Sequence, residues 1–377
     1  MHAVVVGGGI FGVTAARSLR ARGLAVTLID PAPIGTPHPL AESTDISKVI
    51  RMDYGADADY TALGEQALAS WRQSPLFHET GVTFLSKVPM SGFELASYEM
   101  LTSRGHRLER LDANAIADRF PAWRRGAYVD GYFNPQGGWA ESGAVVAAWN
   151  AEARAAGVMV RSGKVERVVE EGVLLADGEL VRGDVVVVAA GSWVPVLVPE
   201  LAPATRAVGQ PVFHLRPADP SLFEAHHFPV FGADISRTGY YGFPVNRDGI
   251  VKIANHGTGT LLPACEEVRE VNAAQEAALR DMLRDTFPAL VDAPIVGRRL
   301  CVYCDTADEN FWIAPHPARP SLVVATGGSG HAFKFAPVLG DVIASIALGE
   351  PHPLAHKFRW RADEQTPHGT EAARHHG

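Results

Sequence analysis

The first thirty residues constrain this chain more than any other stretch. Residues 3–6 (AVVV) form a β-branched run suited to a buried parallel strand. GGGIFG follows at 7–12 and sets Gly7, Gly9 and Gly12 in the GxGxxG register, with Ile10 and Phe11 inside it. VTAARSLRAR then reads as a helix closed by Gly23, and LAVTLID as a second strand ending at Asp30, eighteen residues beyond Gly12. Gly7 permits the tight turn, Gly9 lets backbone approach a pyrophosphate, and Gly12 lets helix and strand pack closely. The helix N-terminus offers free N–H groups to phosphates, and Asp30 accepts from a ribose hydroxyl. GxGxxG alone can be a mere glycine-rich turn; in this order of strand, glycines, helix, strand and acid it points to dinucleotide binding. The motif does not separate NAD from FAD, and Asp30 disfavours NADP.

The same apolar start invites a signal-peptide or membrane reading. No basic region precedes it, and it stops at Arg17, short of the roughly 18 apolar residues a span needs. With 47% hydrophobic and 20% charged residues the chain is globular, and 377 residues predict two domains or one with a large insertion. A balance of 42 acidic against 34 basic residues, net −8, argues against an extended nucleic-acid surface. Cys265, Cys301 and Cys304 are too few for a secreted disulfide framework. The expectation is a cytoplasmic protein, with no membrane or nucleic-acid partner and no metal.

Two later segments repeat the opening pattern. RGDVVVVAAGSWVP runs a strand into Gly191, and SLVVATGGSGHAFKFAPVLGDVIASIALG gives strand, glycine-rich turn and helix, ended by Gly349. Val338, Leu339, Val342, Ile343 and Ile346 form that helix's apolar stripe. Residues 81–142 and 206–304 are richer in Pro, Tyr and alternating patterns, predicting an antiparallel sheet. The expected architecture is mixed α/β: a Rossmann-like nucleotide domain (1–80, 143–205 and 305–377) interrupted twice by a substrate domain (81–142 and 206–304). The terminal TPHGTEAARHHG reads as frayed, its histidines solvated.

Two strands carry unusual chemistry. GIVKIANH places Ile250, Lys252, Ala254 and His256 on one face. A lysine among apolar neighbours is costly unless something there wants a cation; the other reading is a lysine snorkelling from an edge strand. GRRLCVYCDTADENF places Arg299, Cys301 and Tyr303 on one side, with Leu300, Val302 and Cys304 on the other. CVYC resembles a CxxC motif superficially, but it has neither a helix start nor a second ligand pair, and its thiols point oppositely. Structural buried cysteine is the ordinary alternative.

With these segments together, the chain resembles the monomeric sarcosine oxidase family of FAD-dependent amine oxidases over nearly its whole length. GGGIFG at 7–12, SKVIRMDYG at 47–55, YYGFP at 240–244 with Lys252 and His256, CVYCDTADENF at 301–311 and GGSGHAFKF at 327–335 carry the resemblance. It implies FAD, covalently attached through Cys301 as an 8α-S-cysteinyl bond. It also implies that Lys252 serves the reaction with oxygen, that His256, Tyr241 and Tyr303 surround the substrate, and that Lys334 binds a substrate carboxylate. Lys48 and Arg51 fall in the basic pair near flavin and substrate. Gly328, Gly330, His331 and Lys334 lie in the turn beside the flavin ring. Departures occur at Lys48, where an arginine is usual; at Gly328, where an aromatic is common; and at Thr44 and Asp45, which replace His-Gly. Gly328 suggests a wider pocket for a cyclic or bulkier amino acid.

The implied reaction is oxidation of a secondary amine or amino acid. A hydride passes from the carbon beside nitrogen to flavin N5, leaving an imine, and oxygen becomes hydrogen peroxide. Alternatives are an amine dehydrogenase with another electron acceptor, a biosynthetic desaturase of a cyclic imino acid, a non-catalytic flavin scaffold and an NAD enzyme. The last has no use for CVYC and GGSGHAFKF. The resemblance also suggests a monomer whose partners are a small amine and oxygen.

Overall fold

The computed structural model describes residues 1–362 and 371–377. β1 (His2–Val6) pairs in parallel with β2 (Ala25–Asp30) on one side and with Val185–Val188 on the other; α1 (Ile10–Ala21) connects β1 to β2. Met159–Ser162 extends the sheet beyond β2. Arg319–Thr326 extends it beyond Val185–Val188, and antiparallel Trp312–His316 closes the edge of these six strands.

The central strands are valine runs because both of their faces are covered. α1 and the helix Ala336–Ala347 cover one face, while the small antiparallel sheet within 165–182 and the turn near Val194 and Leu201 cover the other. Each buried valine or leucine contributes roughly 1.5–3 kcal/mol relative to exposure. Gly340 lets the two helices touch, since a Cβ there would press on the Thr14 carbonyl.

A nine-stranded, mainly antiparallel sheet forms the second layer system. Its spine is Thr205–Leu215, flanked along its length by Ile295–Thr306 and on the other side by Val251–Asn255 and Thr260–Leu262. Tyr240–Phe243 and Val230–Ala233 continue it antiparallel, and a parallel pairing of Val230–Ala233 with Val82–Ser86 adds the strands of residues 82–134. Val251–Asn255 is therefore an interior strand, so Lys252 does not snorkel from an edge. The pattern at 81–142 and 206–304 is not all strand. Helices Gly92–Ser103, Ala113–Arg119 and Ala273–Thr286 lie there, the last opened by a capping box of Asn272 and Gln275 that is readable in the sequence.

β3 (Lys48–Ile50) pairs with Gly138–Ala140, tying an N-terminal segment to the residues beside the large sheet. Among the described residues no helix is long and apolar enough to cross a membrane.

Candidate active site

A cavity of about 370 Å³ runs from the glycine turn toward the large sheet. Gly7, Gly9, Ile10, Phe11 and Asp30 line its outer end, with Gly191 beside them. Gly7 takes φ +104°, and a Cβ there would sit 2.5 Å from the Ala189 carbonyl oxygen. A Cβ at Gly12 would overlap the carbonyl of Gly7, which is why strand and helix can pack so closely there. Asp30 accepts from the N–H of Gly8 at 2.6 Å and of Ala32 at 2.9 Å, which holds its carboxylate at the cavity rim with lone pairs to spare. A glycine turn at a helix N-terminus, closed to side chains and ending in a fixed carboxylate, fits a dinucleotide.

At the inner end the cavity is lined by Glu42, Lys48, Gly328, Gly330 and Phe333. Burial pushes the Glu42 carboxyl up to about 7, with Lys48 opposing. Burial also works against the Lys48 charge, yet Cys301, Tyr241, Asp45 and Glu42 together hold this ammonium above the usual lysine range. Its Nζ lies 3.7 Å from the Cys301 Sγ.

The register of the large sheet explains how distant residues meet. Cys301 stands opposite Gln210, and Lys252 opposite His214. Gln210 and His214 are four residues apart on one strand, so thiol and ammonium share a face. Tyr303, Tyr241, Val212 and Ala254 pack around Cys301 on that side. Cys304 points the other way, its Sγ 3.3 Å from the Thr326 hydroxyl, and burial pushes its thiol up to about 11. The CVYC cysteines thus lie on opposite faces of one strand.

Lys252 does not line this cavity and ends on buried partners instead. Its Nζ donates to the Ser47 carbonyl at 2.5 Å and lies 2.6 Å from the Asp45 carboxylate, which also meets His214 at 3.3 Å. Burial lowers the Lys252 ammonium to about 8, while Asp45 supports the charge. Burial alone would raise the Asp45 carboxyl, but Lys252 and His214 hold it well below the usual carboxylate range.

Beyond Lys48, Gly330 and Phe333, which line both spaces, lies a smaller cavity of about 40 Å³. Arg51, Tyr241, His256, His331, Lys334 and Glu371 wall it with the apolar Val82, Phe84 and Phe231. Lys334 donates to the Tyr54 hydroxyl at 2.9 Å and the His331 carbonyl at 2.7 Å. Burial and then the neighbouring Arg51 hold its ammonium well below the usual range. His331 is wedged between the Tyr54 hydroxyl and the Glu309 carbonyl, each at 2.9 Å, and burial lowers it to about 3. His331 and Lys334 therefore face the smaller cavity, not the larger one where the glycine turn of the same motif lies. Tyr303 packs behind Gly330, where a Cβ would overlap its ring.

Two expectations change. Residues 371–377 are not frayed: Glu371 and Arg374 are buried, and the N–H of His375 donates to the His256 carbonyl at 3.0 Å. Arg374 reaches Asp305 at 2.7 Å and Glu309 at 2.9 Å, so buried charge drives the tail inward. His375 is partly buried and His376 exposed; residues 366–370 of the same stretch lie outside the described residues. Gly328 does not widen the smaller cavity, because it borders the larger one. A side chain there would meet Ala332 and Phe11 at 3.3 Å.

Sequence reasoning passed over Asp45 as a partner of Lys252, along with Glu42, Glu371 and Arg374. Only the substitution of Asp45 within the basic-pair segment offered a signal.

Residues 2–346 match the family described as FAD dependent oxidoreductase. N-methyl-L-tryptophan oxidases of Salmonella dublin and Salmonella enteritidis PT4 are each 30% identical over 361 residues, covering 92% of this chain and 94% of theirs. The fructosamine oxidase (Amadoriase II) of Aspergillus fumigatus has the same fold at TM-score 0.85 and 24% identity, covering all of this chain and 93% of its own. The fructosyl peptide oxidase of E. terrenum superposes at TM-score 0.85 and 23% identity, over 98% of this chain and 93% of its own.

Proposed function

The chain belongs to the FAD dependent oxidoreductase family and is an FAD-dependent oxidase of secondary amines, and from that premise we propose how its residues divide the work. FAD, when bound, would supply a two-electron acceptor for a hydride from the carbon next to nitrogen, and its reoxidation by oxygen with two protons would give hydrogen peroxide. Segments 1–80, 143–205 and 305–377 hold this cofactor, and 81–142 with 206–304 form most of the substrate pocket.

Gly7, Gly9, Ile10 and Phe11 receive the pyrophosphate, with Gly12 letting helix and strand close beneath them, Asp30 takes the ribose, and Gly191, Gly328 and Gly330 border the rest of the larger cavity. Cys301 is the point of covalent attachment. The Lys48 ammonium stands 3.7 Å from its sulfur. Lys252, kept charged by Asp45, stabilises negative charge developing on oxygen as a preorganised cation does.

In the smaller cavity Arg51 and Lys334 take a substrate carboxylate. A lysine held by two neutral acceptors, its charge opposed by burial, is one that an incoming anion would recharge. His256, Tyr241 and Tyr303 shape the space for the amine. The neighbouring apolar walls exclude water from the reacting carbon. The enzyme acts as a monomer on small amines in the cytoplasm.

The observation that carries this reading is that the two cavities meet at Lys48, Gly330 and Phe333, and that the Lys48 Nζ lies 3.7 Å from the Cys301 sulfur, which itself lines neither cavity. A panel of secondary amines and N-alkyl amino acids, assayed for amine-dependent peroxide, tests it. Amine oxidation without peroxide would indicate a dehydrogenase instead, and no amine oxidation at all would refute the reading.

A further inference from the structure

The tail of this chain reaches a place that its matched family segment does not account for. That segment ends at residue 346, whereas Glu371 enters the wall of the smaller cavity. The carboxylate is fixed from several sides. Its Oε2 meets the His256 Nε2 at 2.7 Å, and the backbone N–H of Glu371 donates to Glu309 at 2.8 Å. Arg374, three residues on, is clamped by Asp305, Glu309 and the Gly257 carbonyl. A segment held by that many buried bonds is built-in wall.

One oxygen is left over. Among the described residues Oε1 of Glu371 has no hydrogen-bond partner, and neither does Nη1 of Arg51 in the same cavity wall. The two groups form only a long ion pair: Arg51 Nη2 lies 3.6 Å from Oε1, beyond hydrogen-bond reach. Both side chains are only 6% exposed. A buried carboxylate oxygen and a buried guanidinium nitrogen without hydrogen-bond partners, on two side chains that line one space, are costly unless a ligand completes them. The complement of such a pair is a zwitterion.

We propose that Glu371 is a specificity-determining residue whose Oε1 receives the N–H of the substrate's amine while Arg51 takes its carboxylate. This rests on the amine-oxidase reading and deepens it by assigning the amine's anchor. Among the described residues His256, His331, Arg51, Lys334, Tyr54, Asp305 and Glu309 are ionisable groups that interact with Glu371. The contacts with His256 and Arg51 keep its carboxylate ionised against the cost of burial. The substrate class is thereby narrowed to amines carrying a carboxylate close to the nitrogen. Amine-free acids are disfavoured, because they would leave Oε1 unpaired and set a second anion beside it.

The test uses two inert probes of one shape on purified holoenzyme: 2-aminoisobutyrate and pivalate, in which a methyl replaces the ammonium. Neither has a hydrogen on the carbon bearing that group, so binding is read without turnover, by calorimetry. Glu371→Gln keeps the side-chain volume, and its flavin content and melting temperature verify folding. We expect Glu371→Gln to weaken 2-aminoisobutyrate about tenfold or more, the scale of a lost charged hydrogen bond, and to tighten pivalate. For the best amine substrate, KM should rise more than kcat falls, and Glu371→Asp should restore part of the loss. Parallel tightening of both probes would show that Glu371 is a resident competitor for Arg51, and an absence of change in either would show no contact; both overturn the proposal. If the wild-type holoenzyme oxidises no amine and binds neither probe, the amine-oxidase reading falls with it.

Discussion

The Nζ of Lys252 lies 2.6 Å from the Oδ2 of Asp45, and side-chain exposures of 1% and 2% leave water little part in compensating either charge. A buried lysine of this kind keeps its charge through one carboxylate. It follows that whatever Lys252 does depends on Asp45. Lys252→Met should slow oxygen consumption by the reduced enzyme at least a hundredfold, while anaerobic reduction by substrate keeps its rate. Stopped-flow measurement of the two half-reactions decides the matter, and equal losses in both would reject the assignment.

The pH dependence has a definite sign. Burial sets the Lys252 ammonium to about 8, so the oxygen half-reaction should be fastest below that pH and decline as pH rises through it. Asp45→Asn removes the supporting charge and should move the decline to lower pH. A profile that stays put in the variant would disconnect the pair from catalysis.

The sulfur of Cys301 beside Lys48 leads to a covalent-flavin prediction. Acid-treated wild-type protein on a denaturing gel should fluoresce under ultraviolet light, and Cys301→Ser should not. A band persisting in the variant would place the attachment elsewhere.

Arg51, the guanidinium of the smaller cavity, should govern recognition of the carboxylate. Arg51→Gln should raise KM for an amino-acid substrate by about ten- to a hundredfold, the range for a lost hydrogen bond to a charge. Substrates lacking the carboxylate should be nearly indifferent. Steady-state kinetics with a matched pair of amines checks both statements.

Arg374 supplies the cation for Asp305 and Glu309, all three buried. Arg374→Met takes the guanidinium away from two buried carboxylates, which should cost about 3–5 kcal/mol. The loss should be visible as a lower urea midpoint, and an unchanged midpoint would mean that the tail contributes nothing to stability.

Much of the nucleotide half was legible because its signals are local. The turn at Gly7, the packing of Gly12 and the acid at Asp30 depend on residues within about thirty positions, where spacing dictates which atoms meet. The same holds for Cys301 and Cys304, whose opposite faces follow from strand alternation, and for the Lys252 face. Motif resemblance then supplied the cofactor and reaction, as the matches to FAD dependent oxidoreductases and to N-methyl-L-tryptophan oxidases agree.

The tail was misread because its composition, small and polar, is that of a solvated end. Nothing in TEAARHHG shows that Glu371 will meet His256 or that Arg374 will meet Asp305. The amino-acid order by itself determined the glycine cradle, the strand faces and the chemistry each face could present. Only the tertiary structure decided which charges neutralise one another, Asp45 with Lys252 across 207 positions and Glu371 with His256 across 115. Electrostatic pairing in a dry interior depends on distance in space and on the absence of competing water, and neither is written in the spacing of residues along a chain.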